Sequence, residues 1–499
     1  MQNSNSLLSI DIGTSRIKVG IFAETGQRVA FDSVPNITIS LQPFCAEQDP
    51  EAWWTSTSIL IRRLLSRHTV KDNAISAIAV TGQMHAPVLV NAQGKSMGRC
   101  QIWTDSRAQT ETREINEKIP EHLFYRITGY RLSPYLTAPR LIWIKKRQSQ
   151  RYRKTKHVLL PKDYIRLRLT GDMSTDWTDA SGTGLFDLRK KNWSNEIFRV
   201  LNLGLEKMPT IKAPHEIVGE ITDSAAKTTG LKKGIPVVTG SGDDVVQLGT
   251  GVKDHEMAVN LGTSCSTFLT VPEPTYDAKA RLECFAGFSP KRWLLSGTTA
   301  SAGSSVDWIL ENTSSSKLEK HVENNYSHLK SVIGNSTMLS ELVFLPYLNG
   351  ERTPIWDSRA TGAFLGLTLR HTRNDLIRAV LEGVCFSVRS ILELTEKLGG
   401  KVSLLRIAGG ATSSLAWMQL LANATNRHIM IPRESEATLL GGAMLAAVGS
   451  RLFRSVDQAV ELQGVRKHLY PDVASARRYE KMYEAFVNAS PFYLRRQDE

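Results

Sequence analysis

The chain has 499 residues, 41% hydrophobic and 22% charged, with a formal net charge of +13 at pH 7. That length predicts two large domains, and the composition excludes a disordered chain. The start at residues 1–6 lacks signal-peptide character, no apolar run nears the roughly 20 residues that span a bilayer, and the scattered Cys45, Cys100, Cys265, Cys284 and Cys385 lack metal-ligand spacing, so no membrane association and a reduced, cytoplasmic setting are expected.

In chain order, β-branched runs at 7–10 and 18–22 flank the turn Asp11-Ile12-Gly13-Thr14-Ser15, and a helix is expected over 50–65, opened by Asp49 with Pro50 in its first turn. A strand at 75–80 runs into Thr81-Gly82-Gln83-Met84-His85. The densest basic run, Lys145 to Lys156, separates a helix from a strand; it invites a nucleic-acid reading, but with Tyr152 as its aromatic company it reads as solvated surface. Strands at 236–239 and 258–261 bracket a boundary near 250–257, giving domains 1–252 and 253–499. Helical periodicity at 375–398 precedes a strand at 406–408, then Gly409-Gly410 and a helix over 415–426. The serine-rich stretches 312–317 and 326–338 read as loops. The alternation is that of an α/β protein.

One motif occurs twice: Ile10-Asp11-Ile12-Gly13-Thr14-Ser15 and Asn260-Leu261-Gly262-Thr263-Ser264. In each, a strand enters a turn of small residues whose backbone N–H groups and hydroxyls suit phosphate. Two copies half a chain apart point to two related domains gripping a polyphosphate, hence ATP. Asp11 beside such a turn is unfavourable unless a divalent cation lies between, which implies Mg²⁺; Lys18 could neutralise phosphate or lie at the surface. Thr239-Gly240-Ser241-Gly242-Asp243-Asp244 follows a strand, and Asp243 or Asp244 could accept a hydroxyl proton during phosphoryl transfer. His85 offers a donor and acceptor to a polyol. Trp103, Asp105 and Arg107 suit sugar recognition, although Asp105 and Arg107 could simply pair. Gly409-Gly410 before a helix offers N–H groups to a nucleotide.

These residues carry a resemblance to the FGGY carbohydrate kinases, most closely to the xylulokinases, over nearly the whole chain. Its most specific pieces are the run from Ala46-Glu47-Gln48-Asp49-Pro50 to Trp54, Gly82-Gln83-Met84-His85, Leu160-Pro161-Lys162-Asp163-Tyr164, Gly350-Glu351-Arg352-Thr353-Pro354 and Gly362-Ala363-Phe364-Leu365-Gly366. The resemblance implies two actin-like (ribonuclease-H-like) domains with a cleft between them, closing on ATP-Mg²⁺ and a sugar. It implies Asp243 as catalytic base, Met84, His85, Trp103, Asp105 and Asp244 on the sugar, and Asp11 with the metal. Gly13, Thr14, Ser15, Lys18, Gly262, Thr263, Gly303, Gly409, Gly410 and Ser414 then belong to ATP. Three positions depart from the pattern: Asp244 stands in place of asparagine, Arg140 in place of lysine, and Ser414 in place of an amide. The expected activity is transfer of the γ-phosphate to a primary hydroxyl of a ketose, with D-xylulose the first choice. Another ketose or polyol, autoinducer-2, or a catalytically silent sensor on the same scaffold are the alternatives. The expected partner is a small sugar, without nucleic acid, and a homodimer is left open.

Overall fold

The computed structural model describes residues 5–67, 75–313, 326, 329–335 and 342–495. Its first sheet starts from strand Ser6–Ile12, buried at every position because it is covered on both faces. That strand pairs antiparallel with Arg16–Ala23, which pairs antiparallel with Arg28–Pro35. On its other side it runs parallel to Ile75–Gly82, followed by Pro236–Val238 and the edge strand Ile217–Glu220. The second sheet repeats the plan. Glu256–Leu261 pairs antiparallel with Cys265–Val271 and parallel with Leu404–Ala408, which pairs parallel with His428–Pro432. Trp293–Thr299 and Glu283–Ala286 extend one edge, and Val465–Leu469 closes the other. The two glycine-threonine turns therefore occupy the same place, between the first and second strands of two similar sheets.

Local chemistry sets the helices. Asp49 caps Pro50–Leu65 by accepting the Glu51 N–H at 3.0 Å, and Pro50 starts the helix, where its missing N–H costs nothing. Thr372 and Asp375 form a capping box at the head of Arg373–Gly399. The helix Ala437–Gly449, drawn from the second half of the chain, packs on the first sheet. Gly442 permits this approach: a Cβ there would lie 2.3 Å from Ser9 Oγ. This helix ties the two sheets together.

One expected loop is corrected. Leu329–Asn335 is a helix, because Leu329, Val332 and Ile333 fall at i, i+3 and i+4 and pack on the second core. The surrounding serines obscured that spacing. Asn312 and Thr313 end the helix Gly303–Thr313, while 314–317, 327–328 and 336–338 lie outside the described residues. Among the described residues no helix is long and apolar enough to cross a membrane. The five cysteines are unpaired; Cys265 is wholly buried, as a small core side chain.

Candidate active site

Three parallel strand ends converge on the site. Asp11 lies beside Thr81, and Thr81 and Gly82 pair with Ser241 and Gly242. The loops leaving them therefore start side by side: Gly13-Thr14, Gln83-Met84-His85 and Asp243-Asp244. Ligands bind outside the carboxyl ends of parallel strands for this reason. These loops face the second sheet across a cavity of about 280 Å³, whose lining includes Asp11, Gly13, Thr14, Met84, His85, Trp103, Asp243 and Asp244.

Acids dominate the electrostatics. Burial first, and then the Glu436 charge, raise the Asp11 carboxyl to about 6 against the opposing pull of Lys18 and a Thr81 hydrogen bond. The Asp243 side chain is open to the lumen. The protein walls around it still strip away most bulk water, and this desolvation, with the Asp11 charge, raises it to about 7. A carboxylate held near neutrality suits a general base.

Met84, His85 and Trp103 line the cavity together. His85 adopts φ 69°, which is strained for a non-glycine residue. Its Nδ1 lies 2.5 Å from the Gly182 carbonyl, which can only accept, so Nδ1 carries the hydrogen and Nε2 is the lone-pair acceptor. Burial, followed by the charges of Arg140 and Arg352, lowers the imidazole to about 3, which keeps it neutral. Trp103 Nε1 donates to Thr14 Oγ1 at 2.8 Å, linking Trp103 to the first glycine-threonine turn. The wholly buried Arg140 donates to the carbonyls of His85, Gln101 and Asp105, a three-way clamp that its guanidinium fork can span.

Asp105 requires a correction. It is wholly buried, accepts the Ala46 N–H at 2.7 Å and holds Arg107 through both oxygens. The structure makes it a loop-fixing partner of Arg107 in place of the expected sugar contact.

On the phosphate side, Gln48 anchors the first turn. Its Nε2 donates to the Thr14 carbonyl, and its Oε1 accepts from Gln83 and Trp53. Ser15 is exposed at the outer end of the turn, and its carbonyl accepts the Asn36 N–H. Lys18 is paired with Glu436. In the second turn, Gly262 and Thr263 accept N–H groups from Gly303, Ala302 and Ser304. Gly303 and Gly409 press on this turn, and added Cβ atoms would sit 2.6 Å from the Gly262 carbonyl and 2.4 Å from that of Leu261. A Cβ on Gly410 would meet nothing within 4 Å. Ser414 is again a correction: it is buried, and its hydroxyl caps Leu415–Thr425 by accepting the Trp417 N–H, in place of an adenine contact.

The cavity also contains residues absent from the expected set. Glu283, Tyr130, Tyr135 and Arg352 line it. Tyr135 donates to Glu283 at 2.6 Å, and the Arg352 guanidinium lies 4.8 Å from the Tyr135 ring and 5.5 Å from that of Trp103. The Gly350-Glu351-Arg352 motif was visible in the sequence, but nothing local to it indicates that Arg352 crosses the cleft. The Lys162-Asp163 motif lies in a buried ionic cluster behind Asp244.

Comparison with known proteins follows the same outline. The models for the N-terminal and C-terminal domains of the FGGY family of carbohydrate kinases match residues 6–249 and 257–450. The chain is 32% identical over 487 residues to the xylulose kinase of Escherichia coli (strain K12), covering 96% of this chain and 97% of that one. It is 28% identical over 491 residues to the gluconokinase of Bacillus subtilis (strain 168), covering 97% and 95%. The ligand-bound xylulose kinase of Lactobacillus acidophilus superposes with a TM-score of 0.90 at 26% identity, covering 97% of each chain. With both domain models matched in order and the cleft formed between two sheets of the same plan, the chain belongs to the FGGY family of carbohydrate kinases.

Proposed function

We propose that this chain transfers the γ-phosphate of ATP to a primary hydroxyl of D-xylulose. The observation that supports this reading is one cavity lined by Asp243, Met84, His85, Trp103 and the Gly13-Thr14 turn together with Asn260, Ser266 and Phe268 of the second sheet. Asp243 accepts the proton of the attacking hydroxyl, and its pKa near 7 matches that task. His85 Nε2 accepts a sugar hydroxyl, while Met84 and Trp103 offer apolar faces to the carbon skeleton. The turns at Gly13-Thr14 and Gly262-Thr263 hold the phosphates, with Gly303, Gly409 and Gly410 beside the nucleotide. The division into 1–252 and 253–499, a cytoplasmic setting and the open question of a homodimer belong to the same reading.

Asp11 is the residue that would hold Mg²⁺. Asp11 and Asp243 line one cavity, and the Asp11 charge raises the Asp243 carboxyl, so a cation held at Asp11 would relieve that repulsion. Among the described residues no group of three or more metal-ligating side chains occurs, which suits an ion that keeps its waters and binds chiefly through phosphate. When bound, Mg²⁺ offsets the charge of the transferring phosphoryl group.

Gluconate is the second reading, favoured by Arg352, a permanent cation in the cavity wall that could pair with a carboxylate. Coupled ADP release against D-xylulose, gluconate, other ketoses and polyols tests both, with Asp243→Ala as control. Turnover selective for D-xylulose and lost in the control is expected. Selective turnover of gluconate would move the substrate, and turnover undiminished in Asp243→Ala would overturn the mechanism.

A further inference from the structure

Behind the cavity wall, buried acids outnumber buried bases. Asp163, Asp176, Asp179 and Asp244 are each at most 2% exposed, and the buried cations among them are Lys162 and Arg166. Lys162 Nζ lies 2.5 Å from Asp163, 2.9 Å from Asp176 and 3.5 Å from Asp179, while Arg166 lies 2.8 Å from Asp163. Arg166 also reaches the partly exposed Asp172 and the Thr239 and Ser174 carbonyls. Four buried carboxylates against two cations leave an excess of two negative charges if all ionise.

A chain of contacts joins this cluster to the cavity wall. Thr178 Oγ1 lies 2.5 Å from Asp176 Oδ2 and 2.8 Å from Ser241 Oγ, and Ser241 Oγ lies 3.0 Å from Asp244 Oδ1. Each of these three contacts needs a hydrogen, but the two hydroxyls supply only two. With both end carboxylates ionised, one contact would set lone pair against lone pair. A carboxyl group must supply the third hydrogen. Asp176 is the accepting end, because Lys162 pairs with it and the Thr178 and Asp179 N–H groups donate to it at 2.7 and 3.4 Å. Asp244 has no cation against it, sits beside Asp243, and leaves Oδ2 buried without a hydrogen-bond partner.

We propose that Asp244 is a neutral carboxylic acid that donates its Oδ1 proton to Ser241, leaving Oδ2 as a buried, uncharged carbonyl oxygen. The hydrogens then run one way, from Asp244 to Ser241 to Thr178 to Asp176. Burial, then the charges of Asp176 and Asp243, push this carboxyl well above its ordinary value. Asp179 is raised in the same sense, so protons on Asp179 and Asp244 bring the buried set to neutrality. On the cavity side the titratable and charged residues are Asp11, Asp243, Glu283, His85, Tyr130, Tyr135 and Arg352. The consequence for substrate rests on the sugar-kinase reading: a neutral Asp244 adds no negative charge to the cavity wall beside the phosphoryl group. The protonation itself does not depend on that reading.

The test is an infrared difference spectrum between the wild type and Asp244→Asn, without substrate at neutral pH, with circular dichroism to check folding. Loss of one protonated-carboxyl C=O band in the variant is expected. Loss from the ionised-carboxylate region instead overturns the proposal. Should Asp244→Asn fail to fold, Ser241→Ala removes the hydroxyl that takes the proton and should shift the same band to higher frequency; a protonated-carboxyl region left unmoved counts against the proposal. Given turnover, the acid limb of the kcat/KM profile supplies a further readout. A neutral Asp244 predicts the same midpoint in Asp244→Asn, whereas a charge lost beside Asp243 would lower it by about one pH unit, which also overturns the proposal.

Discussion

Lys18 on the first hairpin meets Glu436, at the head of the helix Ala437–Gly449, at 2.7 Å. Lys18 also faces Asp11 across the hairpin. It therefore serves two acids, one of them in the cavity, and its charge lowers the Asp11 pKa while that of Glu436 raises it. Lys18→Met should move Asp11 above about 6 and weaken ATP-Mg²⁺ binding most at acid pH, while Glu436→Gln should do the reverse. The pair is partly exposed, so a double-mutant cycle on stability should give a coupling of roughly 0.5–1 kcal/mol. Apparent KM for ATP-Mg²⁺ between pH 5.5 and 8 checks the direction; identical pH dependence in both variants would show that neither charge acts on Asp11.

Asp243 predicts opposite trends for activity and stability. In its proposed role as base it must be ionised, so kcat/KM should rise with pH and level off above about 7. Its native pKa lies above the ordinary carboxyl value of 3.8, so the folded state binds this proton more tightly than the unfolded chain. Raising the pH through this interval therefore removes stability, and above about 7 the loss is complete. Asp243→Asn should lower kcat by roughly 10²–10⁴-fold. It should also melt at a higher temperature than wild type at pH 8, with the difference shrinking toward pH 4. Calorimetry at the two pH values measures this; a variant less stable at pH 8 would contradict the assignment.

Much of this was legible because turns and caps are local. The repeated Gly-Thr turn marked two sheets of one plan, and Asp49-Pro50 marked a helix start that the structure reproduces. The run Ala46 to Trp54 was conspicuous in the sequence, but its purpose emerges only in space, where Gln48 grips the carbonyl of Thr14. Asp105 looked like a sugar ligand because an aromatic ring, a carboxylate and a guanidinium fall together at Trp103, Asp105 and Arg107; in the structure the simple pairing holds, and Arg107 takes both carboxylate oxygens. The proton chain through Thr178 and Ser241 depends on contacts over 63 residues of separation, which no local pattern can express. Arg352 reaches the cavity from the second half of the chain for the same reason.

Arg140 shapes the cavity without entering it. Its guanidinium joins the backbone of the His85 loop to that of the Gln101–Asp105 loop, and the Thr137 hydroxyl adds a hydrogen bond to the His85 carbonyl at 2.9 Å. Lysine keeps the charge but has no planar fork to span three carbonyls. Arg140→Lys should therefore loosen the His85 conformation and raise KM for the sugar several-fold, with KM for ATP little changed. Steady-state kinetics with each substrate varied in turn makes the distinction. An equal rise in both KM values would mean that the clamp supports the whole domain and not the sugar side alone.

Lys162 tests how far the site depends on the buried cluster. Its ammonium pairs with both Asp163 and Asp176 in a region with no solvent to replace it. Removing one partner of a buried pair typically costs about 3–5 kcal/mol, because the other charge stays buried and uncompensated. Lys162→Met should lose stability of that order at neutral pH, read from urea unfolding with an unchanged m-value. The Lys162 and Arg166 charges hold the Asp163 carboxyl below its ordinary value against the cost of burial. That contribution exists above the unfolded pKa and fades as pH falls through the native one. In the variant, the freed acids take up protons more readily, so the deficit relative to wild type should narrow as the pH is lowered from 7 toward 5. A deficit independent of pH would mean that Lys162 contributes through packing alone.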